Sequence, residues 1–522
     1  MEQQSLPKTV IGQYGYGILK TAISTKEIRD IKRELTVRPF VPPGAPVRPD
    51  PFSVYMESPQ RLWVPREWGV AKYGYPEVCR IGKGVDCSET LVFKGEMREK
   101  QLGILRDWKK VIESTKPEGR ILTVPCGYGK TVMSLWCASQ VGRKTLIVVH
   151  KEFLMNQFRS EIERFLPSAR VGKIQGTVCD VEDKDIVIGM LQSLVLKDYP
   201  KDMFQQFGMV IFDECHHLAA EVFSQVLMFV GCWRMLGLSA TPDRKDNLSK
   251  VFHWHLGDFL AKIVDRGRET LQVHKIFHRP LVEGTGGMDL EEYLEEPIGH
   301  GDQVMLPRLV TRICENSDRN RMILNVIVTL IKKEGRRVLM LSDRKSQLRW
   351  MYERVFTGNY GLMDQVGYYI GGMKENDLAI SSKKLLVLGT YAMASEGMNV
   401  PELDTLILSS PKSDIVQSVG RILRKKQEDR EKVPLVIDII DPHDSLIRQS
   451  KKRETFYNGC EYDVKEGHWI GNEFIVKVNT KKRAPRKVKK GESGASIGGL
   501  GCGGGGGGDD EEAENVVCMI TD

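Results

Sequence analysis

Short runs of apolar residues, separated by stretches with helical periodicity, constrain the fold of this chain more than any other feature. Between residues 96 and 268 these runs are apolar along almost their whole length. Strands that are apolar on both faces are buried on both faces, which favours a parallel sheet with helices as right-handed crossovers. The predicted strands are Ile121–Val124, Thr145–Val149, Ile186–Gly189, Met209–Phe212 and Met235–Leu238.

The same alternation begins again in the second half of the chain. Met322–Ile331 places apolar residues on one helix face, and the pattern ends at Lys332, Lys333 and Gly335. A boundary falls between about 265 and 300, where Gly284–Gly287 and an acidic run interrupt the alternation. The predicted fold class is therefore α/β, with two tandem domains of parallel sheets flanked by helices. The further predicted strands are Val338–Leu341, Val366–Ile370, Leu385–Leu388, Thr405–Leu408 and Leu435–Ile439.

The two ends of the chain differ in composition from these domains. Residues 1–95 are rich in Pro and Gly, and Pro39–Pro51 cannot form a helix interior. After residue 455 come the basic Lys481–Lys490, the glycine run Gly503–Gly508 and the acidic Asp509–Glu512. This extension can bury little apolar surface and is expected to be largely disordered. The predicted division is an N-terminal accessory region (1–95), a first domain (96–268), a second domain (269–455) and a C-terminal extension (456–522).

Composition indicates an intracellular, soluble protein. The chain has 522 residues, of which 41% are hydrophobic and 28% charged, as expected for a globular protein with several cores. Its 11 cysteines include no C-x-x-C pair and no Cys/His cluster, which favours reduced thiols. We find neither the apolar core of a signal peptide nor an 18-residue apolar run, so a membrane is not an expected partner. The net charge of +7 permits a nucleic-acid partner without requiring one.

A glycine-rich loop follows the strand Ile121–Val124 and precedes a helical pattern. Its glycines let backbone N–H groups face a phosphate, and the helix N-terminus adds partial positive charge. We expect Lys130 to reach the β- and γ-phosphates and Thr131 to hold Mg²⁺. The loop departs from the G-x-x-x-x-G-K-[ST] pattern at its first position, Val124. The predicted phosphate-binding residues are Pro125, Cys126, Gly127, Tyr128, Gly129, Lys130 and Thr131.

Two adjacent acids end the strand Met209–Phe212. Asp213 suits the coordination shell of Mg²⁺, and Glu214 can orient and deprotonate an attacking water. In isolation such a pair is more typical of a solvated loop. Its position after a phosphate-binding loop favours the catalytic interpretation. Ser239–Thr241 lie at the end of the next predicted strand. Three small residues indicate little by themselves, and only their position after the two preceding motifs supports a functional interpretation.

A basic helical segment in the second domain supplies candidate phosphate contacts. Gln417, Arg421 and Arg424 are spaced by four and three residues, which predicts one helical face. Two arginines one turn apart fit a γ-phosphate, because guanidinium groups bind phosphate in a bidentate manner. The alternative is a solvated basic face, against which we expect Ile422 and Leu423 to bury the opposite side.

The ordered set of motifs resembles that of the superfamily 2 helicases. The set consists of P-C-G-Y-G-K-T, D-E-C-H, S-A-T and Q-S-V-G-R-I-L-R, and the resemblance covers about residues 95–440. Thr390–Pro401, which includes Gly397, resembles motif V, and Val338–Asp343 resembles motif IV. Arg98 and Gln101, upstream of the glycine-rich loop, resemble the adenine-reading element.

Narrower resemblances point to one branch of this superfamily. The glycine-rich loop and Arg244–Asp246 are similar to the XPB and UvsW branch. Phe52–Tyr55 and Val64–Arg66 are similar to helicases of nucleocytoplasmic large DNA viruses, including the poxvirus transcript-release type. Val149–Lys151 stands at the position of motif Ia and departs from its more common Pro-Thr start. The resemblance implies strand contacts from backbone amides, small polar groups and a few basic residues around motifs Ia, Ib and V.

The resemblance implies an ATP-dependent helicase or translocase built from two tandem RecA-like domains. ATP and Mg²⁺ are expected between these domains, with the arginines reaching ATP only on closure. The implied catalytic residues are Lys130, Asp213, Glu214, Gln417, Arg421 and Arg424. Mg²⁺ is assigned to Thr131 and Asp213, and further ATP contacts are assigned to Arg98, Gln101 and Gly397.

The same resemblance implies a nucleic-acid partner whose phosphates are contacted with little sequence preference. DNA, single-stranded or at a branched or duplex junction, is expected in preference to RNA. Transcription or replication machinery are the expected protein partners. A viral protein of this kind is expected in the host nucleus or cytoplasm, or packaged in the virion.

Three alternatives are weighed against this prediction. An RNA-directed ATPase would share nearly all the motifs, and comparing ATPase stimulation by DNA and RNA separates the two. A binding module with an inactive phosphate loop is disfavoured, because all the catalytic residue types are present together. For a fused nuclease, we find no metal-ligand cluster in residues 1–95 or after 455.

Two further features have competing interpretations. Cys126 and Cys215 lie inside motifs, but packing in small semi-buried sites is preferred over redox control. Lys481–Lys490 is interpreted as a nuclear-localisation signal or a non-specific nucleic-acid anchor, with a merely solvated tail as the alternative.

Overall fold

The N-terminal region, expected only as an accessory segment, contains a five-stranded sheet. The computed structural model describes residues 6–40, 49–125, 127–216, 224–240, 248–263, 269–280, 289–299, 304–358, 360–398, 400–425 and 427–477. The N-terminal strands are β1 (Thr9–Gly12), β2 (Gly15–Leu19), β3 (Thr36–Val37), β4 (Phe52–Ser53), β5 (Met56–Glu57), β6 (Arg61–Val64) and β7 (Val78–Cys79). The sheet order is β5-β6-β2-β1-β7, and β3 pairs separately with β4. The helices Thr25–Glu34 and Arg66–Tyr73 accompany it, around a core that includes Tyr16 and Trp68.

Buried polar contacts join this N-terminal region to the first α/β domain. The Nη1 of Arg66 donates to the carbonyl oxygen of Cys232 at 3.0 Å. The side-chain amide of Gln13 donates to the carbonyl oxygens of Lys201 at 2.7 Å and Phe229 at 2.8 Å. Buried polar groups are costly without partners, so these contacts specify how the N-terminal region docks.

The first α/β domain contains an eight-stranded sheet. Its strands are β8 (Glu118–Thr123), β9 (Thr145–Val149), β10 (Val171–Gln175), β11 (Val178–Cys179), β12 (Ile186–Met190), β13 (Met209–Phe212), β14 (Arg234–Ser239) and β15 (Phe259–Lys262). The order is β11-β10-β12-β9-β13-β14-β8-β15, with all neighbours parallel except β10 and β11. Every residue of β9, β12, β13 and β14 is buried. The flanking helices are Glu99–Leu105, Trp108–Glu113, Lys130–Val141, Glu152–Phe165, Leu191–Leu196 and Ser249–Leu256.

The second α/β domain contains another eight-stranded sheet. Its strands are β16 (Gln272–Phe277), β17 (Val338–Leu341), β18 (Val366–Tyr369), β19 (Leu386–Gly389), β20 (Thr405–Leu408), β21 (Leu435–Ile440), β22 (Asp463–Ile470) and β23 (Glu473–Val476). The order is β18-β19-β17-β20-β21-β16-β22-β23, and only β22 and β23 pair antiparallel. The helices are Leu290–Leu294, Leu306–Glu315, Ser317–Lys332, Lys345–Thr357, Glu375–Ser382, Tyr391–Gly397, Val416–Val419 and Asp444–Gly459.

These two sheets confirm the predicted fold class of tandem RecA-like α/β domains. All the strands expected from apolar runs are present, with ends shifted by a few residues at most. The predicted helix Met322–Ile331 forms the last part of Ser317–Lys332, and Ile323, Val326 and Ile327 are fully buried there. Strands buried on both faces require a helical layer on each side, which the crossover helices supply.

The predicted C-terminal boundary of the second domain, residue 455, lies too early. It falls inside the helix Asp444–Gly459, and β22 and β23 follow to complete the sheet. Apolar and polar residues are mixed in β22, and β23 at the edge of the sheet is short and mostly exposed, so neither resembles the buried apolar runs of the central strands. Residues 456–477 therefore belong to the second domain instead of a disordered extension. The predicted basic, glycine-rich and acidic segments lie outside the described residues.

Among the described residues, none of the helices combines the length and the apolar character that crossing a membrane requires.

Candidate functional site

The glycine-rich loop of the first domain leads from β8 into the helix Lys130–Val141. Gly127 and Gly129 have φ of 89° and 84°, in the left-handed region that glycine adopts without a Cβ clash. Gly129 is the N-cap residue, so Lys130 and Thr131 occupy the first helical turn. Free backbone N–H groups and the helix dipole make such a turn favourable for a phosphate. Cys126 lies outside the described residues, and the predicted phosphate contacts stay predictions.

Gln101 lies against this loop. Its Nε2 donates to the carbonyl oxygen of Tyr128 at 2.8 Å, and its Oε1 accepts from the backbone N–H of Arg98 at 3.0 Å. Gln101 is buried, whereas the Arg98 side chain is exposed. The Gln101 amide thus connects the glycine-rich loop to the start of the helix Glu99–Leu105. The sequence did not predict this contact.

The two acids lie at the carboxyl end of β13, as the sequence predicts. In the sheet, β14 lies between β13 and β8, so three neighbouring strands deliver the acids, Ser239 and the glycine-rich loop to one edge. Ligands of open α/β sheets bind at this edge. Glu214 has φ of 46°. A non-glycine residue in the left-handed region is strained, and such strain is concentrated at functional sites.

Lys130 and Glu214 form an ion pair at the centre of the site. The Nζ of Lys130 lies 3.2 Å from the Oε1 of Glu214, and the two side chains are 13% and 18% exposed. On the other side, Nδ1 of His216 lies 3.4 Å from Oε2 of Glu214 and 3.2 Å from the hydroxyl oxygen of Ser239. A chain of contacts therefore runs from the helix N-terminus through the acid to the end of β14. The sequence shows the order of these motifs but not the contact between His216 and Ser239.

The surroundings of the two acids separate their pKa values. Burial alone would raise the pKa of Glu214, but Lys130 and His216 outweigh it and hold that pKa below its usual range. For Asp213, burial and the neighbouring Glu214 carboxylate raise the pKa. The Lys130 ammonium thus favours the ionised form of Glu214.

A divalent cation fits the surroundings of Asp213. Partial burial and repulsion by the adjacent Glu214 carboxylate both raise the pKa of Asp213. A cation at Asp213 would offset this repulsion, and carboxylate and hydroxyl oxygens are suitable ligands for Mg²⁺. Thr131, one residue into the helix, offers such a hydroxyl, so the residues present fit the predicted ion.

The predicted helical face of Gln417, Arg421 and Arg424 does not form as expected. The helix Val416–Val419 ends before Arg421, and Gly420 caps it. Arg421 is 5% exposed, and its Nη1 donates to the carbonyl oxygen of Met398 at 2.9 Å. Ile422 and Leu423 are buried, as expected. Gly420 keeps a right-handed backbone (φ −57°, ψ −17°), and the chain continues in i to i+3 turns, in which the N–H groups of Arg421 and Ile422 donate to the carbonyl oxygens of Ser418 and Val419 at 3.0 and 3.2 Å. The spacing rule of a continuous α-helix does not apply to such turns.

Some of the predicted site residues contact another part of the predicted site, whereas for others the structure shows only their position. Lys130 contacts Glu214, and Gln101 contacts the glycine-rich loop. Arg421 contacts the end of the segment that resembles motif V, directly after Gly397. Gln417 and Arg424 lie in the second domain, and the meeting of these three residues with the first-domain site stays a prediction.

Comparison with known proteins identifies a protein family and individual proteins to which this chain is similar. Residues 94–244 match the family described as "Type III restriction enzyme, res subunit". The chain is 32% identical over 489 residues to protein L396 of Acanthamoeba polyphaga mimivirus, named as an ATP-dependent RNA helicase, covering 90% of this chain and 91% of the relative. Protein QP509L of African swine fever virus (isolate Pig/Kenya/KEN-50/1950), with the same kind of name, is 24% identical and covers 67% of this chain and 70% of its own. The solved structure of T4 UvsW aligns with 85% of this chain and 96% of its own, at 19% identity and a TM-score of 0.30.

Proposed function

The chain belongs to the superfamily 2 helicases, enzymes that use ATP to act on nucleic acid, and on that premise we propose that its substrate is DNA. In this proposal the two RecA-like domains hold ATP and Mg²⁺ between them. Hydrolysis and release then change the separation of the domains and move one of them along a strand. The observation that carries the ATP-hydrolysis part of this proposal is the Lys130–Glu214 pair, at the sheet edge where the glycine-rich loop and β14 end.

Each first-domain residue has one task in this reaction. Lys130 binds the β- and γ-phosphates, and Thr131 and Asp213 hold Mg²⁺, which neutralises developing charge on the phosphoryl oxygens. Glu214 accepts the proton of the attacking water, for which its lowered pKa keeps it ionised. The contact between His216 and Ser239 links the segment that follows this base to the end of β14, where the S-A-T motif begins.

The second domain completes the site when the domains close. Arg421 and Arg424 stabilise the negative charge of the γ-phosphate, with Gln417 and Gly397 beside them. The bond from Arg421 to Met398 supports this arrangement, because it ties the arginine segment to the segment that resembles motif V. Arg98 and Gln101 are assigned to the adenine, next to the loop that Gln101 braces.

DNA is proposed on the basis of the XPB- and UvsW-like motifs. A role in viral transcription or DNA metabolism, with the corresponding machinery as partner, follows from the same resemblance. RNA is the second candidate, because the mimivirus and African swine fever virus relatives are both named as RNA helicases.

One set of assays distinguishes the two substrates. ATPase and strand-displacement rates are measured on 3′-tailed, 5′-tailed and branched DNA, and on RNA of matched sequence. We expect DNA to stimulate ATP turnover more than RNA. The salt concentration is the same in all assays, because salt governs the affinity for phosphates. Stronger stimulation by RNA would transfer the proposal to the RNA substrate. No stimulation by either would contradict the proposed coupling.

A further inference from the structure

The side chain of Arg430 holds the backbone on both sides of Arg424. Its Nε donates to the carbonyl oxygen of Lys425 at 2.9 Å, and its Nη2 donates to that of Leu423 at 3.3 Å. These two carbonyls flank Arg424 directly. The position of the Arg424 backbone therefore depends on where the Arg430 guanidinium lies.

The same guanidinium is paired with the segment that enters the second domain. Nη1 of Arg430 lies 2.6 Å from Oε2 of Glu269, and the two side chains are 7% and 24% exposed. A neighbouring contact joins the next residue, because Nε2 of Gln427 donates to the hydroxyl of Thr270 at 2.7 Å. Two side chains from the loop after Arg424 thus bind two consecutive residues, 269 and 270.

Glu269 lies where the chain passes from one domain to the other. Ile263 is fixed to the first sheet, since its N–H donates to the carbonyl oxygen of Thr123 at 2.8 Å. Leu271 is buried in the second domain, and β16 begins at Gln272. In the sequence, residues 264–268 lie between Ile263, the last residue bonded to the first sheet, and Glu269. The Glu269–Arg430 pair therefore joins the start of the second domain to the loop that follows Arg424.

We propose that the ion pair of Glu269 and Arg430 positions Arg424, and we call this pair the latch. The inference rests on the proposed contact between Arg424 and the γ-phosphate. Arg430 and Glu269 are positioning residues, since their observed contacts are with the backbone beside Arg424 and with each other. Removing the latch therefore affects the turnover of bound ATP and leaves the first-domain residues that bind it intact.

The test compares Arg430→Met with Arg336→Met in the full chain. Arg336 is a matched control, because its side chain is 11% exposed, pairs with Glu334 at 2.6 Å and donates to the carbonyl oxygen of Val433 at 3.1 Å. At saturating nucleic acid, we expect Arg430→Met to lower kcat by about 10- to 100-fold, the effect of a small misplacement of a catalytic group. KM for ATP should stay within about twofold of the parent value, and the control should keep the parent kcat.

A second variant keeps the test decisive if Arg430→Met fails to fold, which a thermal melt would reveal. Glu269→Ala removes the ion pair with Arg430 but leaves the hydrogen bonds from Arg430 to the carbonyl oxygens of Leu423 and Lys425. We expect a smaller loss of kcat, partly recovered in Glu269→Gln, which retains an acceptor oxygen. The double variant Glu269→Ala with Arg430→Met should have the same kcat as Arg430→Met alone, because both substitutions remove the same ion pair.

Arg424→Ala separates failure of the latch from failure of the proposed function. Loss of turnover in Arg424→Ala, with the parent kcat in a folded Arg430→Met and in Glu269→Ala, would overturn the latch and keep the proposed function. Parent turnover in Arg424→Ala would overturn the phosphate contact, and the latch with it.

Discussion

Lys130 and Glu214 are 84 residues apart in the chain, yet the Nζ of one lies 3.2 Å from the Oε1 of the other. The pair places a phosphate-binding cation beside the proposed base at the edge where β8, β14 and β13 end. This closeness holds the pKa of the half-buried Glu214 below its usual range. It also means that a phosphate bound by Lys130 would lie next to Glu214, the proposed acceptor of the proton from the attacking water.

Replacing the base should separate ATP binding from hydrolysis. Glu214→Gln keeps the shape of the side chain, but an amide cannot accept the water's proton, so kcat should fall by about 10²- to 10⁴-fold. Binding of a fluorescent ATP analogue should change little. Glu113→Gln, on an exposed side chain of the same domain, is the control. Turnover at the parent rate in Glu214→Gln would show that another group acts as base.

Removing the ammonium should abolish ATP turnover. In Lys130→Ala the phosphates lose their side-chain cation, and Glu214 loses the charge that lowers its pKa. We expect a fall in kcat of about 10²- to 10³-fold or more, as for the loss of one donor that stabilises transition-state charge. Lys109→Ala, at a side chain that is 81% exposed, should behave as the parent. Substantial ATPase activity in Lys130→Ala would rule out the phosphate role.

Adding one methyl group to the loop should raise KM for ATP. In Gly129→Ala, the new Cβ would lie 2.7 Å from Nε2 of Gln101, and φ is 84°. The loop must move or lose its bond to Gln101, so its backbone N–H groups no longer converge on a phosphate. Gly176→Ala is the control, with φ of 61° and open space around the new Cβ. Gly176→Ala should lower the free energy of unfolding by about 1–2 kcal/mol and leave KM for ATP unchanged. An unaltered KM in Gly129→Ala would mean that the loop adapts to the substitution.

The N-terminal region should contribute to the stability of the first domain. Arg66→Met removes the bond to the carbonyl oxygen of Cys232 and leaves that acceptor buried. Loss of one partner in a buried hydrogen bond costs about 1–3 kcal/mol in the free energy of unfolding. Denaturant titration would measure it, with Arg33→Met, at a side chain that is 82% exposed, as control. Equal stability of the two variants would show that the docking contact is dispensable.

The basic segment beyond the described residues should act as an electrostatic anchor. Truncation after Asn479 removes Lys481–Lys490, so fewer phosphate counterions are released on binding. Affinity should fall uniformly across nucleic-acid sequences, and its dependence on salt should become shallower. The ATPase rate at saturating nucleic acid should stay near that of the full chain. An unchanged salt slope would exclude the anchor, and a collapse of the saturated rate would place the segment in the motor.

The sequence by itself determined the two-domain α/β fold and the order of the motifs. Both depend on short stretches: apolar runs predict strands, and glycines followed by Lys130 and Thr131 predict a phosphate-binding turn. Such local patterns depend little on the rest of the chain. They located β8, β9, β12, β13 and β14 within a few residues.

Only the tertiary structure decided which distant residues meet. The contacts of Lys130 with Glu214, His216 with Ser239, and Arg430 with Glu269 join segments separated by 84, 23 and 161 residues. It also ended the helix at Val419 and added β22 and β23 to the second sheet. The physical reason is that strand order and packing bring these groups together. Local periodicity reports only which face of an element is buried and not which element covers it.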